Sequence, residues 1–171
     1  HFVAGPQSIY CRVADGFVES LCGITLCGAF FDFLADKPAL RGGSFVGYDM
    51  SRKMVEAARA RIRDPRAKFL QQLTVTEPAD YVFACGTYNM HMGANPDDWA
   101  DYIKDSLRDL WAKTDKVLAF NLLRADASER YQGLFYADGD EFLEFCRTEL
   151  SPHSEVTNDA PMPDFTFVVR R

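Results

Sequence analysis

Apolar residues along this chain come in short blocks whose spacing alternates between two and between three and four, the periods of strand and helix. The most sharply defined block is Ser44-Phe45-Val46-Gly47-Tyr48-Asp49-Met50-Ser51. It follows the breaker pair Gly42-Gly43 and reads as a buried strand over Ser44 to Tyr48. Ser51 can cap what comes next: Met54, Ala58 and Ile62 recur at helical spacing, with Arg and Lys on the opposite face, predicting a helix over 51–63 that buries those three residues. Upstream, Leu21-Cys22-Gly23-Ile24-Thr25-Leu26-Cys27-Gly28 predicts a first strand entering a tight turn. Phe30, Phe31, Phe33 and Leu34 then start an amphipathic helix ending near Pro38, as core residues rather than a stacking platform. Ala14, Phe17, Val18 and Leu21 predict a further helix from about Tyr10 to Glu19.

Downstream, strands are predicted at 68–73, 80–85 and 117–122. Asn95-Pro96-Asp97-Asp98 is a helix start, with a cap, a proline in the first turn and two acids at the positive dipole end. Trp99, Ile103, Leu107, Leu110 and Trp111 give that helix one apolar face, running to about Lys113. Asp138 and Glu141 resemble a capping box for a helix through Phe142 to Leu150, and strands close the chain at 154–158 and 165–169. Strands alternating with helices predict an α/β fold: a doubly wound, mostly parallel sheet of about seven strands with helices on both faces. Residues 1–20 read as an N-terminal helical segment whose abrupt start at His1 suggests missing upstream residues, and residues 21–171 as one α/β domain.

Composition narrows the functional classes. With 171 residues, 47% hydrophobic and 26% charged, the chain is an ordinary globular domain, able to bury roughly 70% of its unfolded surface. A net charge of −6 leaves no basic footprint for nucleic acid. No apolar run approaches the ~18 residues of a membrane span, and Arg12, Asp15 and Glu19 interrupt any signal-peptide core. Five cysteines without a CxxC pair fit a reducing, cytoplasmic compartment and buried small residues, with no metal site.

The candidate chemistry centres on Asp49, between the strand and the helix. Ligands of open α/β sheets bind at the carboxyl ends of strands, and a carboxylate there can accept hydrogen bonds from both hydroxyls of a ribose. The competing reading is that Asp49 caps the helix. His91, in Asn89-Met90-His91-Met92-Gly93, is the candidate general base, against a loop histidine with no partner. Asn121 and Tyr136 could line a substrate pocket or satisfy local backbone groups, and His153 reads as a solvated turn residue.

Gly47-Tyr48-Asp49-Met50-Ser51, the helix with Met54 and Ala57-Ala58-Arg59, the run from Ala79 through Asn89, and the closing Asp164-Phe165-Thr166-Phe167-Val168-Val169-Arg170 together resemble class I S-adenosylmethionine-dependent methyltransferases. The resemblance covers roughly residues 20–171 and implies a seven-stranded sheet with a last antiparallel strand. It implies that Asp49 binds the ribose, that Met50 packs on the adenine, and that Gln71 and Gln72 lie near the adenine amino group. Gly28, Cys85 and Gly86 would lie along the cofactor, and Tyr88, Asn89 and His91 would begin the substrate wall. The family's first loop, acid-x-Gly-x-Gly-x-Gly, is largely lost: counting back from Gly28, Cys22 replaces the acid and Ile24 and Leu26 replace two glycines. Side chains there would occupy space the cofactor needs, which predicts weak adenosylmethionine binding. Three functions follow: methyl transfer to a small-molecule acceptor, a catalytically impaired methyltransferase-like binding partner, or a nicotinamide-dependent oxidoreductase. The last is opposed by the missing Gly-x-Gly-x-x-Gly. No oligomeric state is implied.

Overall fold

A computed structural model describes residues 20–24, 28–158 and 163–171. The strands are β1 (Ser20–Ile24), β2 (Ser44–Asp49), β3 (Ala67–Gln71), β4 (Ala79–Ala84), β5 (Thr114–Arg124), β6 (Tyr136–Ala137), β7 (Ser154–Thr157) and β8 (Asp164–Arg170). The helices are α1 (Ala29–Ala35), α2 (Arg52–Arg61), α3 (Pro96–Ala112) and α4 (Gly139–Phe145). The sheet order is β3-β2-β1-β4-β5-β8-β7, with β6 pairing β5 off this path. Pairs from β3 through β6 are parallel, and β8 runs antiparallel to both β5 and β7. The sheet is thus doubly wound and mostly parallel as expected, with eight strands because two-residue β6 is an addition. The predicted N-terminal helix lies outside the described residues.

Alternation along the strands separates two cores. Phe45, Phe69, Phe83 and Ala119 face α1 and α2, where they pack with Phe30, Phe31, Leu34, Val55 and Ala58. Tyr48, Val82, Ala84, Leu118, Phe120 and Phe167 face α3 and α4 and meet Ile103, Leu107, Leu110 and Phe142. Phe33 departs from the core reading and is exposed beneath the Lys37 ammonium. α2 also buries a slightly different stripe from the predicted one: Val55 and Ala58 are buried, whereas Met54 and Ile62 are only half-buried. Ile62 is the C-cap residue, past the last helical turn, which explains its partial exposure. No described helix is long and apolar enough to cross a membrane.

The caps of the second half hold. Asn95 Oδ1 accepts from the Asp97 N–H at 2.8 Å, and Pro96 opens α3. Asp138 Oδ1 accepts from the Asp140 and Glu141 N–H groups at 2.9 and 3.1 Å. The reciprocal half of that capping box is absent, because Glu141 reaches Lys104 at 2.7 Å instead. α4 then widens into a π-helical turn over Cys146–Leu150. Burial pushes the Cys146 thiol up to about 12, so this cysteine is an inert core residue.

Gly47 shows how tightly β2 and β3 are fitted. A Cβ there would lie 2.7 Å from Phe69 Cδ1, so the phenyl ring occupies the space a side chain would need. Gly47→Ala should therefore destabilise the domain by about 1–3 kcal/mol through overpacking, lowering Tm by about 2–4 °C per kcal/mol. Urea or thermal unfolding measures it; an unchanged midpoint would mean that the Phe69 ring yields freely.

Candidate functional site

The strand order reverses between β1 and β4, and the carboxyl ends of β2, β3 and β4 surround that point. Asp49 closes β2, level with Gln71 at the end of β3. The Ser51 N–H donates to Asp49 Oδ1 at 2.7 Å, so one carboxylate oxygen does help start α2. Oδ2 has no hydrogen-bond partner among the described residues, and the carboxylate is only half-buried. The capping and ligand readings are therefore compatible, one oxygen for each. Around it, the Gln72 N–H donates to the Asp49 carbonyl at 3.2 Å. Gln71 Nε2 donates to the Met50 carbonyl at 3.3 Å, which fixes the amide and leaves its oxygen as the acceptor. The Met50 side chain is 68% exposed, a flat apolar surface beside the carboxylate.

Gly28 and Gly86 differ sharply. Gly28, at φ +79°, precedes α1, and a Cβ there would lie 2.2 Å from Ile62 Cδ1, so Ile62 takes the space its missing side chain leaves. Gly86, at φ +68°, follows half-buried Cys85 at the exit of β4, and a Cβ there would meet nothing within 4 Å. Its N–H donates to Asn121 Oδ1 at 2.7 Å, and Asn121 Nδ2 donates to Asp164 Oδ2. Asn121, read either as a pocket residue or as a partner of local backbone groups, satisfies the Gly86 N–H and bridges β4's exit to the start of β8. Asp164 was not singled out in the sequence, and no local signal could have paired it with a residue 43 positions away.

The loop after Gly86 is held from outside through its backbone. Trp99 Nε1 donates to the Tyr88 carbonyl at 2.9 Å, the Phe135 N–H donates to the Asn89 carbonyl at 2.8 Å, and Met90 bridges to Leu134. Tyr88 corrects the expectation of a wall residue: its side chain is buried in the core, and its hydroxyl pairs with Ser106 Oγ at 2.9 Å. Burial raises the Tyr88 phenol well above its ordinary value, leaving it a neutral structural group. Tyr136 is also occupied, accepting from the Tyr131 N–H at 2.7 Å beneath the Arg130 guanidinium. Within this frame, Thr87 Oγ1, Asn89 Oδ1 and His91 Nδ1 are buried with no hydrogen-bond partner among the described residues. Thr87 carries the same signature as the two predicted residues, yet nothing in its sequence position marked it.

Sheet order, antiparallel β8 and the acidic end of β2 define the class I S-adenosylmethionine-dependent methyltransferase fold. Similar proteins agree with that class. A Mycobacterium tuberculosis (strain ATCC 25618 / H37Rv) protein named "Putative methyltransferase Rv1506c" is 29% identical over 147 residues, 84% of this chain and 87% of that protein. Magnesium protoporphyrin IX methyltransferase from Synechocystis PCC 6803, solved with bound SAH, is similar at a TM-score of 0.66 and 12% identity, covering 91% of this chain and 74% of that one. A "putative S-adenosylmethionine dependent methyltransferase" from Listeria monocytogenes has a TM-score of 0.63 at 10% identity, covering 93% of this chain and 92% of that one. No family model matches the chain.

The residues present fit the nucleoside part of that cofactor. Asp49 Oδ2 is an acceptor with no partner among the described residues, Met50 offers an apolar face, and the space over Gly86 is open. Cys22 and Ile24 are both paired within β1, Ile24 level with Tyr48 and Ala84. Leu26 lies outside the described residues.

The Asn121 bridge has a direct test. Asn121→Leu keeps the branched shape but removes the partner of both the Gly86 N–H and the Asp164 carboxylate, a loss of about 0.5–1.5 kcal/mol for each hydrogen bond. Urea unfolding should show a lower midpoint, and hydrogen exchange should show faster exchange at the Gly86 amide. Unchanged values for both would mean that the bridge is idle.

Proposed function

We propose that this chain transfers a methyl group from S-adenosylmethionine to a small-molecule acceptor held at the β4 exit loop. The observation that carries this reading is the Asp49 carboxylate at the carboxyl end of β2, one strand from the sheet's switch point, with Oδ1 holding the Ser51 N–H and Oδ2 without a hydrogen-bond partner among the described residues. Asp49 would bind the ribose hydroxyls, Met50 would cover the adenine, and the oxygen of Gln71 would accept from its amino group. Gly86 would allow close approach at the methionine portion beside Cys85. When bound, the cofactor supplies a sulfonium methyl whose carbon–sulfur electron pair leaves with sulfur. Positioning accounts for most of such a transfer, and His91, whose Nδ1 has no protein partner, is the residue to take the acceptor's proton. Asn89 faces the same loop environment and would orient the acceptor.

The nicotinamide alternative is disfavoured by topology. The dinucleotide-binding order is 3-2-1-4-5-6, whereas here β8 lies between β5 and β7 and runs antiparallel to both. A purely binding role rests on the altered first loop, which bears on affinity for the amino-acid end of the cofactor and not on Asp49.

Asp49→Ala should weaken adenosylmethionine binding at least about tenfold, since each charged hydrogen bond contributes on the order of 1.5–3 kcal/mol. Calorimetric titration of the wild type and the variant measures it, with ligand concentrations high enough for weak binding. Equal affinities would remove Asp49 from the ribose site.

A further inference from the structure

Three polar atoms within five residues of one loop are buried and have no hydrogen-bond partner among the described residues: Thr87 Oγ1, Asn89 Oδ1 and His91 Nδ1. Buried polar groups are almost always hydrogen-bonded, and leaving one unsatisfied is destabilising. A single orphan could be accidental, but three at the carboxyl edge of β4 coincide with the place where open α/β sheets bind ligands. The backbone of the same loop is strained. Met92 has φ +53°, the sole non-glycine residue with positive φ among the described residues, and Gly93 follows at +84°. Sparsely populated backbone conformations cluster at ligand clamps. An apolar rim adjoins the orphans: Met90 and Met92 on the loop are 63% and 78% exposed, and Tyr131, near the segment that Met90 bridges, is 64% exposed.

We propose that this loop binds a neutral, hydroxyl-bearing acceptor with an apolar body, a phenol or alcohol and not a carboxylate. The proposal deepens the methyl-transfer reading and rests on it for the chemistry, though not for the binding. The donor pattern selects the class. Asn89 Oδ1 can only accept, so its partner must donate, and a carboxylate would set its own lone pairs against it. A hydroxyl can donate to Asn89 Oδ1 and accept from the Thr87 hydroxyl, and His91 Nδ1 belongs to the same loop. The apolar body then lies against Met90, Met92 and Tyr131, whose flexible thioethers and aromatic ring adapt to an uncharged ligand.

Isosteric apolar variants separate a ligand site from a structural one. Asn89→Leu and Thr87→Val each remove an orphan atom that holds no protein partner. Each should raise the Tm of the unliganded protein by about 2–6 °C, the stability gain expected when a functional polar group is deleted. The probe is catechol, titrated by calorimetry and by the NMR signals of the His91 ring without adenosylmethionine, with benzoate as competitor. Catechol should bind the wild type with a millimolar or tighter dissociation constant and shift the His91 ring signals. Each variant should bind at least about tenfold more weakly, and benzoate should not displace catechol at about 20 mM. A lower Tm in either variant, displacement by benzoate, unchanged catechol affinity in the variants, or no catechol binding at about 20 mM would each overturn the proposal. Catechol binding without any adenosylmethionine binding would instead remove the methyl-transfer reading and leave this site standing.

Discussion

Both faces of the sheet are covered, and that constraint decides where polar chemistry can sit. Phe45 and Tyr48 on β2, Val82 and Phe83 on β4, and Leu118, Ala119 and Phe120 on β5 divide between two cores. A polar side chain in the middle of one of these strands would be stripped of water on either face, at a cost of roughly 2–7 kcal/mol if unbonded. Polar groups are therefore driven to strand ends. Asp49 closes β2 and Asp164 opens β8, while Asn121, within β5, lies one residue beyond the last pair with β4 and bonds to Asp164. At the opposite edge, Asp80 is buried near the start of β4 and pairs with Lys116 at 2.9 Å.

The β4 exit loop divides its interactions in a way that follows from this confinement. Its backbone is tied to its surroundings by Trp99 and Phe135, and Tyr88 anchors it in the core. Its alternate side chains at 87, 89 and 91 retain polar atoms that the fold does not satisfy. A loop held by its backbone can keep such groups in place without consuming their hydrogen-bonding capacity, which is what preorganisation of a binding site requires. The positive φ at Met92 belongs to the same region and would relax if the surrounding bonds did not over-determine it.

What could be read in the sequence was local. The strand and helix around Asp49, the Asn95-Pro96 start of α3 and the Asp138 cap each depend on neighbours a few residues apart, and the structure reproduces them. Errors arose where distant packing decided. Helical spacing pointed to Met54 and Ile62, but Val55 is the buried neighbour of Ala58 because α2 ends before Ile62. Tyr88 looked like a wall residue until Ser106, on α3, proved to be its partner. The Gly86–Asn121–Asp164 bridge joins three separate elements, and β6 exists only because residues 136–137 return to pair with β5.

The two halves of the site stand on different supports. The half around Asp49 is built from β2, the start of α2 and the end of β3, linked by Ser51, Gln71 and Gln72. The half around the β4 exit loop is built from β4's exit, α3, the 131–135 segment and the Asn121 bridge. Between them runs β1, which contributes backbone pairing to both β2 and β4. No hydrogen bond among the described residues links Asp49 to Thr87, Asn89 or His91, so the halves are coupled through the sheet and not through a shared side-chain network. The carboxylate at Asp49 and the unsatisfied atoms of the β4 exit loop keep their placement as long as β1 remains paired on both sides.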